Sequence, residues 1–373
     1  MQIMLYKKYD DVMKKCKGAD SISKNEKNVL VTCGMSKVGD VGDPLKNRVR
    51  SSVSKSGATA YGDADLVDEL RTHGPHIRLG IDIGGTNTKF GIVENGKIVF
   101  KSKIKTDLSS AEALSDGIAA EFSKIGKKCD FEFVGVGVPG TVADGIVTAD
   151  NLPLDGTPLK SMLEQRLGTR IKIENDANCA GLAEVKYGAG RRYQSVVMLT
   201  LGTGIGGSIA IGGKLMLGNG NMAELGHMII QAFGGRECPC GQSGCFEQYA
   251  SVTALVRMAK ESIDKNAGSI LAQMYHENGG KLNGKVIFTA LDTGCSSAKA
   301  VIEEYTGILA VGIDSLINIL DPDAVVLSGG ITEHGDRFIG AVQRKIHFKT
   351  PVVISDLKGD AGIVGAAYLT DLE

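Results

Sequence analysis

Two glycine-rich turns, each enclosed by short apolar runs, constrain the fold more than any other feature of this sequence. The first reads Asp82-Ile83-Gly84-Gly85-Thr86-Asn87, and the second reads Leu201-Gly202-Thr203-Gly204-Ile205-Gly206-Gly207. Glycine turns let backbone N–H groups approach phosphate oxygens, and a threonine hydroxyl adds a further donor. Two such turns from two halves of the chain are suited to grip one triphosphate from opposite sides. Each turn taken alone is equally well explained as an ordinary hairpin.

Short strands alternate with helices on both sides of these turns. The apolar periodicity predicts strands over 77–83, 88–94, 98–105, 133–138, 170–174, 196–201, 208–211 and 325–328, and helices over 111–125, 177–187, 248–263 and 298–320. The helix over 177–187 is expected to be amphipathic. The stretch 196–213 carries no charge, but its six glycines favour two buried strands and a turn over a membrane span. The pattern indicates an α/β protein with two related halves.

Composition excludes several classes of protein. Glycine is abundant, with 50 residues against only 8 prolines, which points to tight turns rather than low-complexity linkers. The formal net charge of −1 argues against nucleic acid or an anionic membrane as the main partner. Residues 1–8 lack the apolar core of a signal peptide, so a cytoplasmic location is expected.

Two other glycine patterns are tested by their context. Residues 202–207 have the G-x-G-x-x-G spacing of a dinucleotide site, which requires a helix directly afterwards, whereas a strand is predicted there. Residues 279–285 have the spacing of a P-loop. However, Val286 replaces the Ser or Thr that would hold magnesium, and no strand precedes the segment. The first interpretation fails, and the second match is attributed to chance.

A compact set of thiol and imidazole side chains follows the second turn. His227, Cys238, Cys240 and Cys245 fall within 19 residues, with glycines between them. This set can wrap a tetrahedral Zn²⁺ whose four ligands all come from protein, which is typical of a structural rather than a catalytic zinc. The alternative is a group of free buried cysteines. Two acids, Glu224 and Glu247, flank the cluster and suggest recognition of hydroxyl groups.

A run of polar residues marks a predicted strand-to-helix junction. It reads Glu174-Asn175-Asp176-Ala177-Asn178. An Asp or Asn at this place is a routine helix cap. Taken alone, the run favours a cap, whereas its place between the two glycine turns is also consistent with a catalytic carboxylate.

Taken together, these motifs resemble the ROK family of bacterial sugar kinases, within the actin-like ATPase superfamily. The resemblance covers residues 77–373 and includes Pro139-Gly140 and Ser328-Gly329-Gly330 as well as the runs above. It implies a two-lobed α/β fold of the actin-like (ribonuclease H-like) type, with duplicated halves around a cleft. The expected domains are an extension over 1–76, a small lobe over 77–179 plus 357–373, and a large lobe over 180–356 that carries the zinc cluster.

The resemblance also implies an activity and a set of site residues. The expected reaction is ATP-dependent phosphorylation of glucose at the 6-hydroxyl, with Asp176 as general base and with ATP, Mg²⁺ and a structural Zn²⁺ as cofactors. Sugar binding is expected of Gly140, Asn151, Asn175, Asp176, Glu224, His227 and Glu247. ATP binding is expected of Asp82, Gly84, Gly85, Thr86, Lys89, Gly202, Thr203, Gly204, Gly329 and Gly330, with Asp82 directed at Mg²⁺.

Several alternatives stay open at this stage. The same chemistry on N-acetylmannosamine, N-acetylglucosamine or fructose is one, and polyphosphate as the phosphoryl donor is another. A sugar-sensing repressor without turnover is a third. However, residues 1–76 show no pair of amphipathic helices separated by a short turn, and Asp176 is present. The resemblance implies a homodimer or higher homo-oligomer.

Overall fold

Two five-stranded sheets of the same topology form the framework of the molecule. The computed structural model describes residues 52–53, 59–60, 77–126, 130–149, 151–218 and 222–372. The strands are β1 (Ser52–Val53), β2 (Thr59–Ala60), β3 (Arg78–Ile83), β4 (Asn87–Glu94), β5 (Lys97–Lys105), β6 (Phe133–Val138), β7 (Thr141–Ala143), β8 (Ile146–Ala149), β9 (Leu154–Thr157), β10 (Ile171–Asn175), β11 (Val196–Leu201), β12 (Ile205–Ile211), β13 (Lys214–Leu215), β14 (Ala324–Ser328) and β15 (Val352–Ile354).

Ten α-helices are found in the described residues. They are α1 (Ala111–Gly126), α2 (Leu159–Leu167), α3 (Asp176–Lys186), α4 (Glu247–Ala250), α5 (Val252–Lys265), α6 (Ile270–Glu277), α7 (Gly284–Asp292), α8 (Ser296–Leu320), α9 (Asp336–Gln343) and α10 (Ala361–Ala367). Short 3-10 turns occur at Ala189–Arg192, Leu225–His227, Gly330–His334, Lys358–Asp360 and Leu369–Leu372. None of the helices in this part of the chain has the length and apolarity needed to cross a bilayer.

The strand order shows that the two halves are duplicates. The first sheet runs β10-β6-β3-β4-β5 and the second runs β13-β12-β11-β14-β15. In each sheet three sequential strands form an antiparallel meander, and two later strands add in parallel beside the first strand of that meander. The sequence-based prediction of two related α/β halves is therefore confirmed.

Helix α3 is where the structure departs most from its prediction. An amphipathic helix was expected, but every residue from Ala177 through Glu184 is buried. The reason is its position, because α3 packs against α10 on one side and against β12 of the second sheet on another. Small residues make these contacts possible: a Cβ on Gly365 would lie 1.7 Å from the carbonyl oxygen of Cys179. Because both faces of α3 are covered, the helix has no polar face toward solvent and is not amphipathic.

Two other predicted boundaries are corrected. The single helix expected over 248–263 is two helices, α4 and α5, because Ser251 adopts an extended conformation and caps α5 by accepting a hydrogen bond from the Ala254 N–H. Strand β12 begins at Ile205 rather than at residue 208, so the second turn is only three residues long. The long helix α8 ends at Leu320, directly before Asp321 and Pro322, as predicted.

The apolar side chains form three clusters that follow this layout. One lies between the second sheet and the helices α4 to α9, and another lies between the first sheet and α1 and α2. The third joins α3 and α10 to residues of both sheets, including Val93 and Met198. The predicted division at 179/180 and 356/357 into a small and a large lobe stays a prediction. The predicted extension over 1–76 lies outside the described residues except for β1 and β2.

Candidate active site

The first glycine turn is held in shape by two threonines behind it. The Thr106 hydroxyl donates to the Gly84 carbonyl oxygen at 2.6 Å, and the Thr106 N–H donates to the Thr86 carbonyl oxygen at 3.0 Å. The hydroxyl of buried Thr88 lies 3.0 Å from that of Thr106. These bonds satisfy the Gly84 and Thr86 carbonyl groups of the turn, whose Thr86 side chain is exposed.

The second turn is joined to the loop after β14. Gly329 has φ of +104°, and a Cβ at this position would lie 2.1 Å from the carbonyl oxygen of Leu201. Only glycine therefore lets the chain approach the second turn so closely. Gly202 and Thr203 line a cavity of about 750 Å³ together with Gly330. The structure thus brings together three of the predicted ATP-binding residues around one cavity.

The same cavity is also lined by residues that the sequence analysis missed. Asn283, Gly284 and Lys285 line it at the start of α7, and Glu333 and His334 line it beside Gly330. The sequence did contain a signal for this segment: Gly284 and Lys285 belong to the run whose P-loop spacing was attributed to chance. The P-loop interpretation does fail, since no strand precedes the segment, yet the segment reaches the same cavity as the second turn.

Lys89 is an ion-pair partner of Asp82. The two residues face each other in the β3–β4 register, and the Lys89 ammonium donates to the Asp82 carboxylate at 3.0 Å. The same ammonium donates to the Gly359 carbonyl oxygen at 3.2 Å. Asp82 also packs on α10, since a Cβ on Gly362 would lie 3.0 Å from its carboxyl carbon. The carboxylate expected to face Mg²⁺ is therefore fixed by a neighbouring cation and a neighbouring helix.

Asn175 caps the helix at the polar junction. Its side-chain oxygen accepts from the N–H groups of Ala177 and Asn178 at 2.9 and 3.1 Å, and its amide donates to the Gly140 carbonyl oxygen at 2.9 Å. Asp176 is the first residue of α3, and one of its oxygens accepts from the Ala177 N–H at 2.8 Å. Because Asn175 takes the capping role, Asp176 is not needed as the cap.

The environment of Asp176 perturbs its protonation. Burial raises the pKa of Asp176 to about 6, and the negative charges of Asp82 and Glu224 add to the rise, while the Ala177 N–H opposes it. A carboxyl group with a pKa near neutrality in a buried site is suited to accept and release a proton. Asp82, expected to face Mg²⁺, and Glu224, expected to bind sugar, therefore both lie near enough to Asp176 to affect its charge.

The remaining predicted sugar residues lie around this junction. Asn151 is exposed, and its amide nitrogen is 3.8 Å from the Cβ position of Gly85 in the first turn. Gly140, with φ of +89°, could not carry a Cβ without meeting the Thr148 carbonyl oxygen at 2.2 Å. Burial raises the pKa of the Glu224 carboxyl; His227 acts against that rise and Glu247 adds to it. The structure therefore places Glu224 near both of them.

The thiol and imidazole cluster has the geometry of a tetrahedral metal site. One ligand atom each from His227, Cys238, Cys240 and Cys245 lies within 4.8 Å of all the others. The Sγ of Cys238 is 3.6 Å from the Nδ1 of His227, and the Sγ atoms of Cys240 and Cys245 are 3.6 Å apart. A tetrahedron with metal–sulfur bonds of about 2.3 Å has edges of about 3.8 Å. The donor set and its spacing therefore fit Zn²⁺.

Comparison with known proteins agrees with this arrangement. Residues 78–372 match the description of the ROK family along their whole length. The chain belongs to the ROK family. A glucokinase of Halalkalibacterium halodurans is 33% identical over 312 residues, which is 78% of this chain and 94% of that protein. An N-acetyl-D-glucosamine kinase of Escherichia coli is 30% identical over 311 residues, which is 78% of this chain and 98% of that protein.

A solved structure extends the likeness to three dimensions. The ROK family glucokinase from Streptomyces griseus, in complex with glucose and AMPPNP, superimposes with a TM-score of 0.71 at 34% identity. The match covers 79% of this chain and 98% of that one. With the duplicated sheets described above, it shows that this ROK protein has the two-lobed actin-like ATPase fold.

Proposed function

We propose that this chain transfers the γ-phosphoryl group of ATP to the 6-hydroxyl of glucose. The observation that carries the proposal is the buried carboxyl of Asp176, whose pKa is raised to about 6 by burial and by the charges of Asp82 and Glu224. The support from relatives is that proteins 33% to 35% identical are glucokinases and that a similar structure holds glucose and AMPPNP.

In this proposal each turn has a separate task. The backbone N–H groups of Gly84, Gly85 and Thr86 bind the phosphates from one side. Gly202, Thr203 and Gly204 bind them from the other, and Gly329 and Gly330 pass beside the nucleoside. Such contacts position the donor and stabilise the charge that develops in transfer. Lys89 holds Asp82 in place and supplies positive charge near the phosphates.

The sugar is held so that one hydroxyl faces Asp176. Glu224, His227, Glu247, Asn175, Asn151 and Gly140 would bind the other hydroxyls and the ring. As the bond from the sugar oxygen to the γ-phosphorus forms, Asp176 accepts the hydroxyl proton. The bond between the γ-phosphorus and the bridging oxygen breaks, and ADP leaves with that electron pair.

Two metal ions complete the proposal. The Asp82 carboxylate is the kind of ligand that Mg²⁺ prefers, and Mg²⁺ there would neutralise phosphate charge. Zn²⁺ on His227, Cys238, Cys240 and Cys245 would have no open position, so its contribution is to fix the loop that carries Glu224 and Glu247.

The test is ADP release in the presence of a panel of sugars. Glucose should give a higher kcat/KM than N-acetylglucosamine, N-acetylmannosamine or fructose, and ATP should be a better donor than polyphosphate. A preference for N-acetylglucosamine would favour the second candidate, which the Escherichia coli relative supports. Sugar binding without ADP release from any member of the panel would instead identify a sugar sensor.

Two further expectations belong to the same proposal. The chain is expected to form a homodimer or a higher homo-oligomer, which sedimentation velocity would measure. It is also expected to work in the cytoplasm, which fractionation of the source cells would test.

A further inference from the structure

The chain passes between the two sheets at two places in its described part. The first crossing is α3, which follows β10 of the first sheet and leads to β11 of the second. The second follows β15 and leads to α10, which packs on β3, β4 and β6 of the first sheet. We name residues 355–360, between β15 and α10, the return connection.

One carboxylate joins these two crossings. Glu184 of α3 is fully buried. Its Oε1 accepts a hydrogen bond from the Ser355 hydroxyl at 2.6 Å and one from the Leu357 N–H at 3.0 Å. Its Oε2 accepts from the Ala189 N–H at 2.7 Å and from the Asp356 N–H at 3.3 Å. Three of the four donors belong to the return connection, so Glu184 ties the second crossing to the first.

The groups that contact the Glu184 carboxylate all donate hydrogen bonds to it. Ser355 accepts from the Lys358 N–H at 2.7 Å, so its hydroxyl proton is free to point at Glu184. Gly188 keeps room for the carboxylate, because a Cβ there would lie 2.1 Å from Oε2. The loss of this carboxylate would be costly, because the buried donors of Ser355 and Ala189 would be left without a partner.

The two segments that Glu184 joins, α3 and the return connection, lead to the two proposed ligand sites. Asp176 is the first residue of α3, and Glu184 lies about two turns further along the same rigid helix. At the other end of the return connection, Lys89 donates to Gly359 and also holds Asp82, and Lys101 of β5 pairs with Asp360. The return connection is therefore held by the base-bearing helix on one side and by the strands around the first turn on the other.

We propose that Glu184 is a positioning residue that couples the sugar site to the nucleotide site. By fixing α3 to the return connection, it ties together the two crossings that join the two sheets, so that occupancy of one site favours the arrangement of the sheets that the other site needs. This role rests on the proposed function, because it assumes that a sugar and a nucleotide bind to the two lobes at once. Coupling of this kind typically changes an affinity by about 5- to 150-fold.

Calorimetric titration of glucose, with and without AMPPNP and Mg²⁺, tests the coupling. In the native chain, the nucleotide should lower the glucose Kd at least about fivefold. Glu184→Gln keeps the size of the side chain but turns an amide N–H₂ toward N–H and O–H donors. This variant should bind glucose alone within about threefold of the native Kd, whereas its ratio of the two Kd values should fall close to one.

Controls separate this role from simple stabilisation. Glu121→Gln changes another buried carboxyl, one that pairs with Lys124 and does not touch the return connection, and should keep the native ratio. Should Glu184→Gln fail to fold by far-UV circular dichroism, Ser355→Ala serves instead. It removes one of the four donors and should give an intermediate ratio.

The outcomes also distinguish this inference from the proposed function. A native chain that does not bind glucose contradicts the proposed function. A native chain that binds glucose without any effect of AMPPNP overturns the coupling, as does a folded Glu184→Gln or Ser355→Ala variant with the native ratio.

Discussion

The Sγ of Cys238 lies 3.2 Å from the Oε1 of Glu247, so a residue expected to bind sugar contacts a predicted zinc ligand directly. The other oxygen of Glu247 accepts from the Ile205 N–H at 3.4 Å, at the end of the second turn. Glu247 therefore connects the metal cluster to the turn expected to bind phosphate. This contact pattern leads to the first of five predictions.

Cys240→Ala should lose bound metal and glucose binding together. The native protein should carry about one equivalent of zinc, because all four ligand positions are filled by protein. Cys240 is the exposed member of the cluster, so replacing it removes a ligand with little effect on packing. Metal content by mass spectrometry and glucose Kd by calorimetry check this. Cys295→Ala, which lies outside the cluster, should retain the metal. Full glucose binding by metal-free Cys240→Ala would contradict the prediction.

Asp176→Asn should lower kcat by about 10²-fold or more, in line with the usual contribution of a general base. An asparagine keeps the size of the side chain and the bond from the Ala177 N–H, but it cannot accept the hydroxyl proton. The helix cap is unaffected because Asn175 provides it. Steady-state kinetics with glucose and ATP measure the change, and glucose Kd should change little. A variant that binds glucose and keeps near-native turnover would remove Asp176 from the catalytic role.

The pH dependence should report the raised pKa of Asp176. With a pKa of about 6, the carboxyl becomes protonated as pH falls below that value, so kcat/KM should decline about tenfold per pH unit there.

Because folding raises this pKa from 3.8, the ionised group destabilises the fold above about pH 6, and the cost disappears as pH falls toward 4. The Tm of Asp176→Asn should therefore equal or exceed the native Tm at pH 7.5 and converge with it near pH 4. A native Tm clearly above that of the variant at pH 7.5 would contradict this assignment.

Lys285→Ala should raise the KM for ATP about fivefold and leave the KM for glucose unchanged. Lys285 is exposed and lines the same cavity as Gly202 and Thr203, and an exposed charge contributes roughly 1 kcal/mol to binding a phosphate or carboxylate partner. Lys281→Ala is the matched control, because Lys281 is exposed nearby but does not line the cavity. Equal effects of the two substitutions on the KM for ATP would show that Lys285 has no specific contact.

A truncated protein that starts at His76 should fold and phosphorylate glucose. The family match begins at residue 78, and the relatives are covered over 94% to 98% of their own length by 78% to 79% of this chain. Circular dichroism and the ADP-release assay measure the outcome. A soluble but inactive truncated protein would show that residues 1–75 take part in the site.

The sequence by itself determined the parts of this protein that depend on local chemistry. The two turns, the cluster from His227 to Cys245 and the junction at Asp176 were found because glycine, cysteine and strand-to-helix patterns are short-range signals. The alternation of strands and helices was likewise sufficient for the class of fold, since each element carries its own periodicity. Whether Asn175 or Asp176 caps α3 could not be decided this way, because both residue types cap helices.

The tertiary structure decided everything that depends on distant residues meeting. Helix α3 is buried rather than amphipathic because two layers enclose it. Helix α10 was not predicted because a short helix of small buried residues has no polar face. Lys285 reaches the cavity of the second turn, and Glu184 meets the return connection 171 residues away, through long-range packing. Such contacts leave no periodic trace in a single sequence, because their energy comes from burial and from hydrogen bonds that form only once the two lobes have folded together.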